Sequence, residues 1–216
     1  MTLEADLFFS FRSPYSYLAI ERYRQLARTH TVDIALRPVY PLAIREPAFF
    51  ERNHPNWLRY TMRDMARVAQ FEGIPFGPPR PDPIVQDIAT RTIAADQPYI
   101  RRITRLGQAA ARRGKGLDFA AEAARLIWGG AADWHTGEHL AGAARRASLD
   151  LAELDAEVVA DAAALDAEIT DNQQALEAGG HWGVPTLVFD GEPFFGQDRI
   201  AMAKWRMDQK GLAPRQ

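Results

Sequence analysis

The chain has 216 residues, 47% apolar and 25% charged, with a net charge of −2 and no cysteine. That is the profile of an ordinary globular protein, one unit or one unit carrying an inserted domain. The charge gives no reason to expect nucleic acid or an anionic membrane as partner. The missing thiols exclude disulfides, thiolate metal sites and a cysteine nucleophile.

Residues 5–11 form an apolar, Phe-rich run that predicts a short buried strand. Glu4 and Asp6 stand where a signal peptide would carry a basic region, and no run approaches about 18 apolar residues. The expected location is therefore cytoplasmic, with no transmembrane helix. Ser13 reads as an N-cap and Pro14 as the first residue of a helix reaching about His30, with Tyr17, Leu18, Ile20, Tyr23, Leu26 and Ala27 at helical spacing. Val32, Ile34 and Leu36 then alternate with Asp33, Ala35 and Arg37, a strand that Pro38 and Pro41 end. Strand, helix, strand favours a parallel pair with a right-handed crossover.

A second helix is expected over about 57–72, on Leu58, Met62, Met65, Ala66 and Ala69, followed by a Pro-rich break from Pro75 to Pro83. From about 84 to 178 the chain is Ala-rich and helical in period, interrupted by glycines near 107, 114–116, 129–130 and 137. Sheet signals return at Thr186–Phe189, with Asp190-Gly191 as a hairpin turn and 192–195 as the return strand. A last helix covers Ala201 to Lys210, with Asp198 as its candidate cap. The fold class expected is α/β: a thioredoxin-like fold, residues 1–45 and 180–216, with an all-helical insertion domain, residues 46–179.

Two short segments carry the chemistry: Ser13-Pro14-Tyr15-Ser16-Tyr17 and Gly183-Val184-Pro185-Thr186. With 9–19 around the first, 60–67 (Tyr60-Thr61-Met62-Arg63-Asp64-Met65-Ala66-Arg67), 180–186 around the second, and Gly196-Gln197-Asp198-Arg199, the chain resembles the 2-hydroxychromene-2-carboxylate isomerase family. These are relatives of kappa-class glutathione transferases and DsbA-type proteins. The resemblance keeps all segments in order over nearly the whole chain. It implies glutathione as cofactor, with Ser13 beside its sulfur as the catalytic residue. Val184 and a cis Pro185 would pair with the peptide backbone of glutathione, and Gln197 and Asp198 would hold its γ-glutamyl end. By their position just before the Val-Pro turn, His181 and Trp182 either shape the pocket mouth or pack, and Trp182 is the candidate cofactor contact of the two. Tyr15, Trp57, Tyr60 and Arg63 would line the small-molecule substrate pocket, roofed by the helical insertion, in a homodimer. One departure is visible: many members carry a lysine where this chain has Trp57, and Arg52, Arg59 and Arg63 are the candidate replacements.

A helix N-terminus offers unpaired N–H groups and a partial positive charge, and an N-cap hydroxyl adds a donor. Both lower the pKa of a thiol placed there. Ser13 then acts on a bound thiolate, which adds reversibly to a conjugated enone, and is not itself the nucleophile. The same residues have blander readings. Ser13-Pro14 is also an ordinary helix start, Val184-Pro185 a strand entry, and Asp198 a cap, a ligand, or both. His135-Thr136-Gly137-Glu138-His139 fits the H-x-x-E-H zinc pattern, but Gly137 and the preceding Gly129-Gly130 make it read as a solvated helix start, so no metal is expected. Phe49, Phe50, Trp57, Tyr60 and Trp128 fit a core as well as a pocket. The pairs Arg101-Arg102, Arg112-Arg113 and Arg145-Arg146 read as solvated helix faces. The activity expected is glutathione-dependent isomerisation of an aromatic conjugated 2-oxo or hemiketal carboxylate. The alternatives are a kappa-like glutathione transferase and a redox-inactive thioredoxin-fold binding module.

Overall fold

A computed structural model describes residues 2–47, 54–87 and 92–215; Phe49, Phe50 and Arg52 lie outside the described residues. Strand β1 (Leu3–Phe9) leads through a turn into helix α1 (Pro14–Thr29), which crosses over to β2 (Val32–Pro38). β2 pairs parallel with β1, Leu3 opposite Val32 and Phe9 opposite Pro38. After the short α2 (Leu42–Arg45) and the long α3 (Pro55–Glu72) comes a two-stranded ladder, β3 (Gln86–Asp87) and β4 (Thr92–Ile93). Helices α4 (Pro98–Arg112), α5 (Gly116–Trp128), α6 (His139–Arg146), α7 (Leu151–Ala160) and α8 (Ala162–Ala178) follow. The chain closes with β5 (Thr186–Phe189), β6 (Glu192–Phe195) and α9 (Ile200–Asp208). The main sheet has the order β2-β1-β5-β6, with β5 antiparallel to β1 and β6 antiparallel to β5.

Side-chain alternation decides which face each strand residue serves. Ala5, Leu7 and Phe9 of β1, Val32, Ile34 and Leu36 of β2, and Leu187 and Phe189 of β5 enter one large core. Phe8 points to the other face, where it meets Val39, Leu176, Val184 and Val188. The large core continues without a break into Ile100, Ile103, Phe119, Ala124, Leu154 and Leu165 of the helical segment. Small residues permit that closeness. A side chain at Gly107 of α4 would place its Cβ 2.6 and 2.8 Å from ring atoms of Phe11, and one at Gly116 would come 2.8 Å from the Leu36 Cβ. Phe11 sits at the base of the turn before α1, so α4 presses directly on the chain that presents Ser13. Gly107→Val is expected to destabilise by about 1–3 kcal/mol through overpacking. Urea unfolding reads this, and an unchanged midpoint would show that the Phe11 ring yields freely.

Several expectations need correction. The first strand ends at Phe9 rather than residue 11; Ser10–Arg12 turn, and the Ser13 N–H donates to the Ser10 carbonyl at 3.0 Å. Helix does not begin near 84. The chain bends at Pro83 and Ile84 and enters the β3–β4 ladder at Gln86, and buried Gln97 closes the segment with bonds to Val85 N, Val85 O and Ala94 O at 2.8–2.9 Å. A single polar side chain thus satisfies backbone groups that a helix would satisfy internally. At the Asp190-Gly191 hairpin both residues take positive φ (51° and 78°), as a two-residue turn matched to strand twist requires.

Candidate active site

The site is built where the α1 N-terminus meets the loop before β5. Ser13 has extended φ/ψ of −92° and 114°, and its Oγ accepts from the Ser16 N–H at 3.2 Å, so it caps the helix. The same hydroxyl donates to the carbonyl of Val184 at 3.3 Å. One oxygen therefore ties the helix start to the second motif, 171 residues away. Val184-Pro185 is cis. No acidic residue of α1 itself occupies its first turn, where the helix carries its partial positive charge.

The turn before Ser13 is clamped from the helical side. Trp128 Nε1–H donates to Phe11 O at 3.0 Å, and the Arg12 guanidinium lies 5.3 Å over the Trp128 ring. Arg12 also grips Asp82 with two bonds of 2.5 and 2.7 Å. Phe76 stacks on Trp128 with an interplanar angle of 5°.

On the other side, the Gly183 N–H donates to His181 Nδ1 at 2.9 Å, and Thr186 Oγ1 donates to Gly183 O at 2.7 Å. Desolvation lowers the pKa of His181 and outweighs the Gly183 contact, so the ring is a neutral acceptor. It stacks on Phe195 at 3.9 Å and on Trp182 at 5.2 Å. The Gly196 N–H donates to Pro185 O at 2.9 Å. Gly196 has φ of +106°, and a Cβ there would sit 2.6 Å from Asp198 Oδ1, so the glycine opens the cradle in which that carboxylate lies.

Tyr15 donates its hydroxyl to Asp64 of α3 at 2.8 Å. Burial first, then Asp64, then the neighbouring Tyr60 and Asp198 push the Tyr15 phenol well above its ordinary pKa. Tyr15, Tyr60, Asp64 and Asp198 thus share one electrostatic neighbourhood. Trp57 falls on the same face of α3 as Tyr60 and Asp64 by helical spacing, and Trp57 and Tyr60 are exposed. Arg63 and Arg59 are exposed on α3, and no contact brings either to Ser13.

One role expected from the sequence changes. Asp198 does not cap the last helix: α9 starts at Ile200 with Arg199 at its N-cap, no side chain caps it, and the Asp198 carboxylate turns to Arg199 at 2.5 Å. Gln197 is tied down, its Oε1 and its carbonyl accepting from Arg22 at 2.6 and 2.9 Å. Arg22 also reaches Glu72, so the loop between β6 and α9 is pinned to α1 and α3. The H-x-x-E-H pattern lies in turns, with α6 beginning only at His139 and Gly137 at φ +56°, so its two histidines share no helix face. A groove of about 1020 Å³ lies away from Ser13, which is not among its lining residues. Its charges pair with one another, as in Arg215–Asp33, Arg37–Asp6 and Arg112–Glu168.

The DsbA-like thioredoxin domain matches residues 4–208. The chain belongs to that family. Comparison with curated protein sequences finds no match. Among solved structures, a 2-hydroxychromene-2-carboxylate isomerase is similar with a TM-score of 0.67 and 22% identity, over 96% of this chain and 95% of the other. A probable DsbA oxidoreductase from Streptomyces coelicolor gives 0.66 and 17%, over 99% and 93%. The cytosolic disulfide reductase DsbM from Pseudomonas aeruginosa, solved with GSH, gives 0.61 and 16%, over 96% and 100%. At these identities the likeness is one of fold.

As a DsbA-like protein without cysteine, the chain cannot run dithiol exchange on its own side chains. Three groups at the site escaped the sequence reading. Asp64 stands in the quoted Tyr60 segment, four residues on, where a helix would bring it onto the Tyr60 face. The Arg12–Asp82 pair, and Arg45, which donates to Tyr40 O and to Trp182 O in the loop before the cis proline, carry no local signal, because their partners are distant in sequence or are backbone carbonyls.

Proposed function

We propose that this protein is a glutathione-dependent isomerase of an aromatic conjugated 2-oxo or hemiketal carboxylate, acting as a cytoplasmic homodimer. The observation that carries the reading is the Ser13 hydroxyl, held at the start of α1 and against the carbonyl beside the cis proline, in a chain with no thiol. The donor set suits glutathione. The Val184 N–H has no bond among the described residues, next to a carbonyl that faces Ser13. The Asp198 carboxylate, 58% exposed and paired with Arg199, would accept an ammonium group. The DsbM structure with GSH supports the assignment at the level of the fold.

Bound glutathione would supply a thiolate that adds to the conjugated enone and leaves again unchanged. The protein's part is to hold and tune that sulfur. Ser13 would rotate its proton from the Val184 carbonyl toward the sulfur while the α1 N–H groups supply the field. Tyr15, Tyr60 and Trp57 would form an aromatic wall for the substrate, and the helical segment 46–179 would exclude water. Arg22 keeps Gln197 and the Asp198 loop in place. The absence of cysteine disfavours the reductase activity of DsbM for this chain.

Two measurements test the reading. Glutathione should be recovered stoichiometrically after turnover of a conjugated aromatic 2-oxo acid; its consumption would make the protein a transferase. Asp198→Ala should weaken glutathione about tenfold by calorimetry, the loss of one charge-assisted contact. Undiminished affinity would remove Asp198 from the site, and no binding by the wild type would overturn the proposal.

A further inference from the structure

The partly buried arginines of this protein follow a rule with one exception. Arg12 pairs with Asp82, Arg22 with Glu72, Arg24 with Glu122, Arg102 with Asp155, Arg105 with Asp166 and Arg206 with Glu192. Arg45, at the end of α2, is also partly buried, yet among the described residues no carboxylate lies within ion-pair distance of it. Its Nε–H donates to Tyr40 O at 2.7 Å and one Nη2–H to Trp182 O at 3.0 Å. Glu177 and Glu46 act on it only through their field. Burial outweighs that field and holds the guanidinium below its usual pKa.

A guanidinium carries five donors in a planar fork, and burying it without an anion is costly. Two donors are spent on carbonyls, which neutralise no charge. Position gives the rest of the argument. Trp182 O is two residues before Val184, whose carbonyl meets Ser13. The Asp198 cradle lies on the far side of the cis proline, joined to it through Gly196 N and Pro185 O. A short peptide paired along Val184, with its ammonium at Asp198, would point its other end toward Trp182 and Arg45.

We propose that Arg45 is the carboxylate-binding group of the site, seating the glycyl carboxylate of glutathione at the Trp182 end of the cis-proline loop. The inference rests on the glutathione reading and assigns the cation that Trp57 does not supply. A carboxylate there completes the charge of Arg45 as Asp82 completes that of Arg12. The other source of the same chemistry is the carboxylate of the oxo-acid substrate, and the test separates the two.

The experiment is calorimetric binding of glutathione and of its glycinamide analogue, which lacks the terminal charge, to wild type, Arg45→Gln and Arg45→Lys. A second pair, benzylidenepyruvate and its amide, is titrated in parallel. The wild type should prefer glutathione over the glycinamide by about tenfold or more. Arg45→Gln should abolish that preference and leave benzylidenepyruvate binding unchanged, while Arg45→Lys keeps part of it. A role limited to clipping the Tyr40 and Trp182 carbonyls would weaken both glutathione forms equally, and that result overturns the proposal. So does a preference that persists in Arg45→Gln. If the wild type binds no glutathione, the cofactor reading falls with the glycyl assignment. Arg45-dependent preference for benzylidenepyruvate over its amide would then keep Arg45 as a carboxylate site with the substrate as source, and no such preference overturns that too. Circular dichroism and urea midpoints confirm that each variant is folded.

Discussion

Ser13→Ala is expected to lower turnover of a conjugated aromatic 2-oxo acid by about 10²–10³-fold, the effect of removing one preorganised donor from a developing or resident anion. The fold should survive. The hydroxyl accepts from Ser16 N at 3.2 Å as a cap, and losing a cap costs about 0.5–2 kcal/mol. The bond to Val184 O is 3.3 Å, long for a hydroxyl donor, so its loss leaves one carbonyl at a site open to water. The two consequences separate cleanly: a small drop in the unfolding midpoint and a large drop in kcat. The variant should also raise the apparent pKa of glutathione's thiol in the complex, followed by its thiolate absorbance. Ser13→Thr, which keeps the cap and the donor, should recover part of the rate. Full turnover by Ser13→Ala would show that the helix N-terminus alone tunes the sulfur, and Ser13 would then be only a cap.

The sequence exposed this site unevenly, for physical reasons. Ser13-Pro14 is a local signal, because capping depends on residues within one turn, and α1 begins where those residues place it. Val184-Pro185 and the Asp190-Gly191 turn are local in the same sense. Asp198 shows the limit of such signals. An acidic residue two positions before a helix fits a cap by composition, but Gly196 at φ +106° reorients the chain and delivers the carboxylate to Arg199 instead. The β3–β4 ladder escaped because Gln97 closes it through contacts with Val85, twelve residues away. Arg45 escaped because its partners are carbonyls, which every residue has and no composition reveals. Periodicity finds faces and caps find ends; neither shows which side chains lack a counter-charge. That shows only when all the pairs are known together.

Glu122→Ala is expected to be among the most destabilising single changes in the molecule, at about 3–5 kcal/mol, because it strands a buried cation. Glu122 on α5 has a side chain only 6% exposed. Its Oε1 accepts from Arg24 of α1 at 3.1 Å and its Oε2 from Arg146 of α6 at 2.6 Å. Arg24 is itself 8% exposed and keeps only Glu21 at 2.5 Å, with Asp118 at 3.8 Å, once Glu122 is gone. The carboxylate therefore fastens the helix that presents Ser13 to two helices of the 46–179 segment. A double replacement, Arg24→Met with Glu122→Leu, should recover most of the loss, since a packed apolar pair removes both desolvation costs. If the double variant is as unstable as the single one, the pair acts through shape and not charge. The pH dependence has a definite sign. Desolvation alone would raise the Glu122 pKa, but the bonds from Arg146 and Arg24 and the field of Arg125 outweigh it, and the net shift is downward from the ordinary value near 4.5. A depressed carboxylate contributes its stability above the unfolded value and loses it as pH falls through the folded one. Urea midpoints of wild type and Glu122→Gln should thus differ at neutral pH and converge only as pH falls below the ordinary 4.5 and through the depressed folded value. Curves that stay parallel across that window would show that the ionised carboxylate is not what holds α1 to α5 and α6.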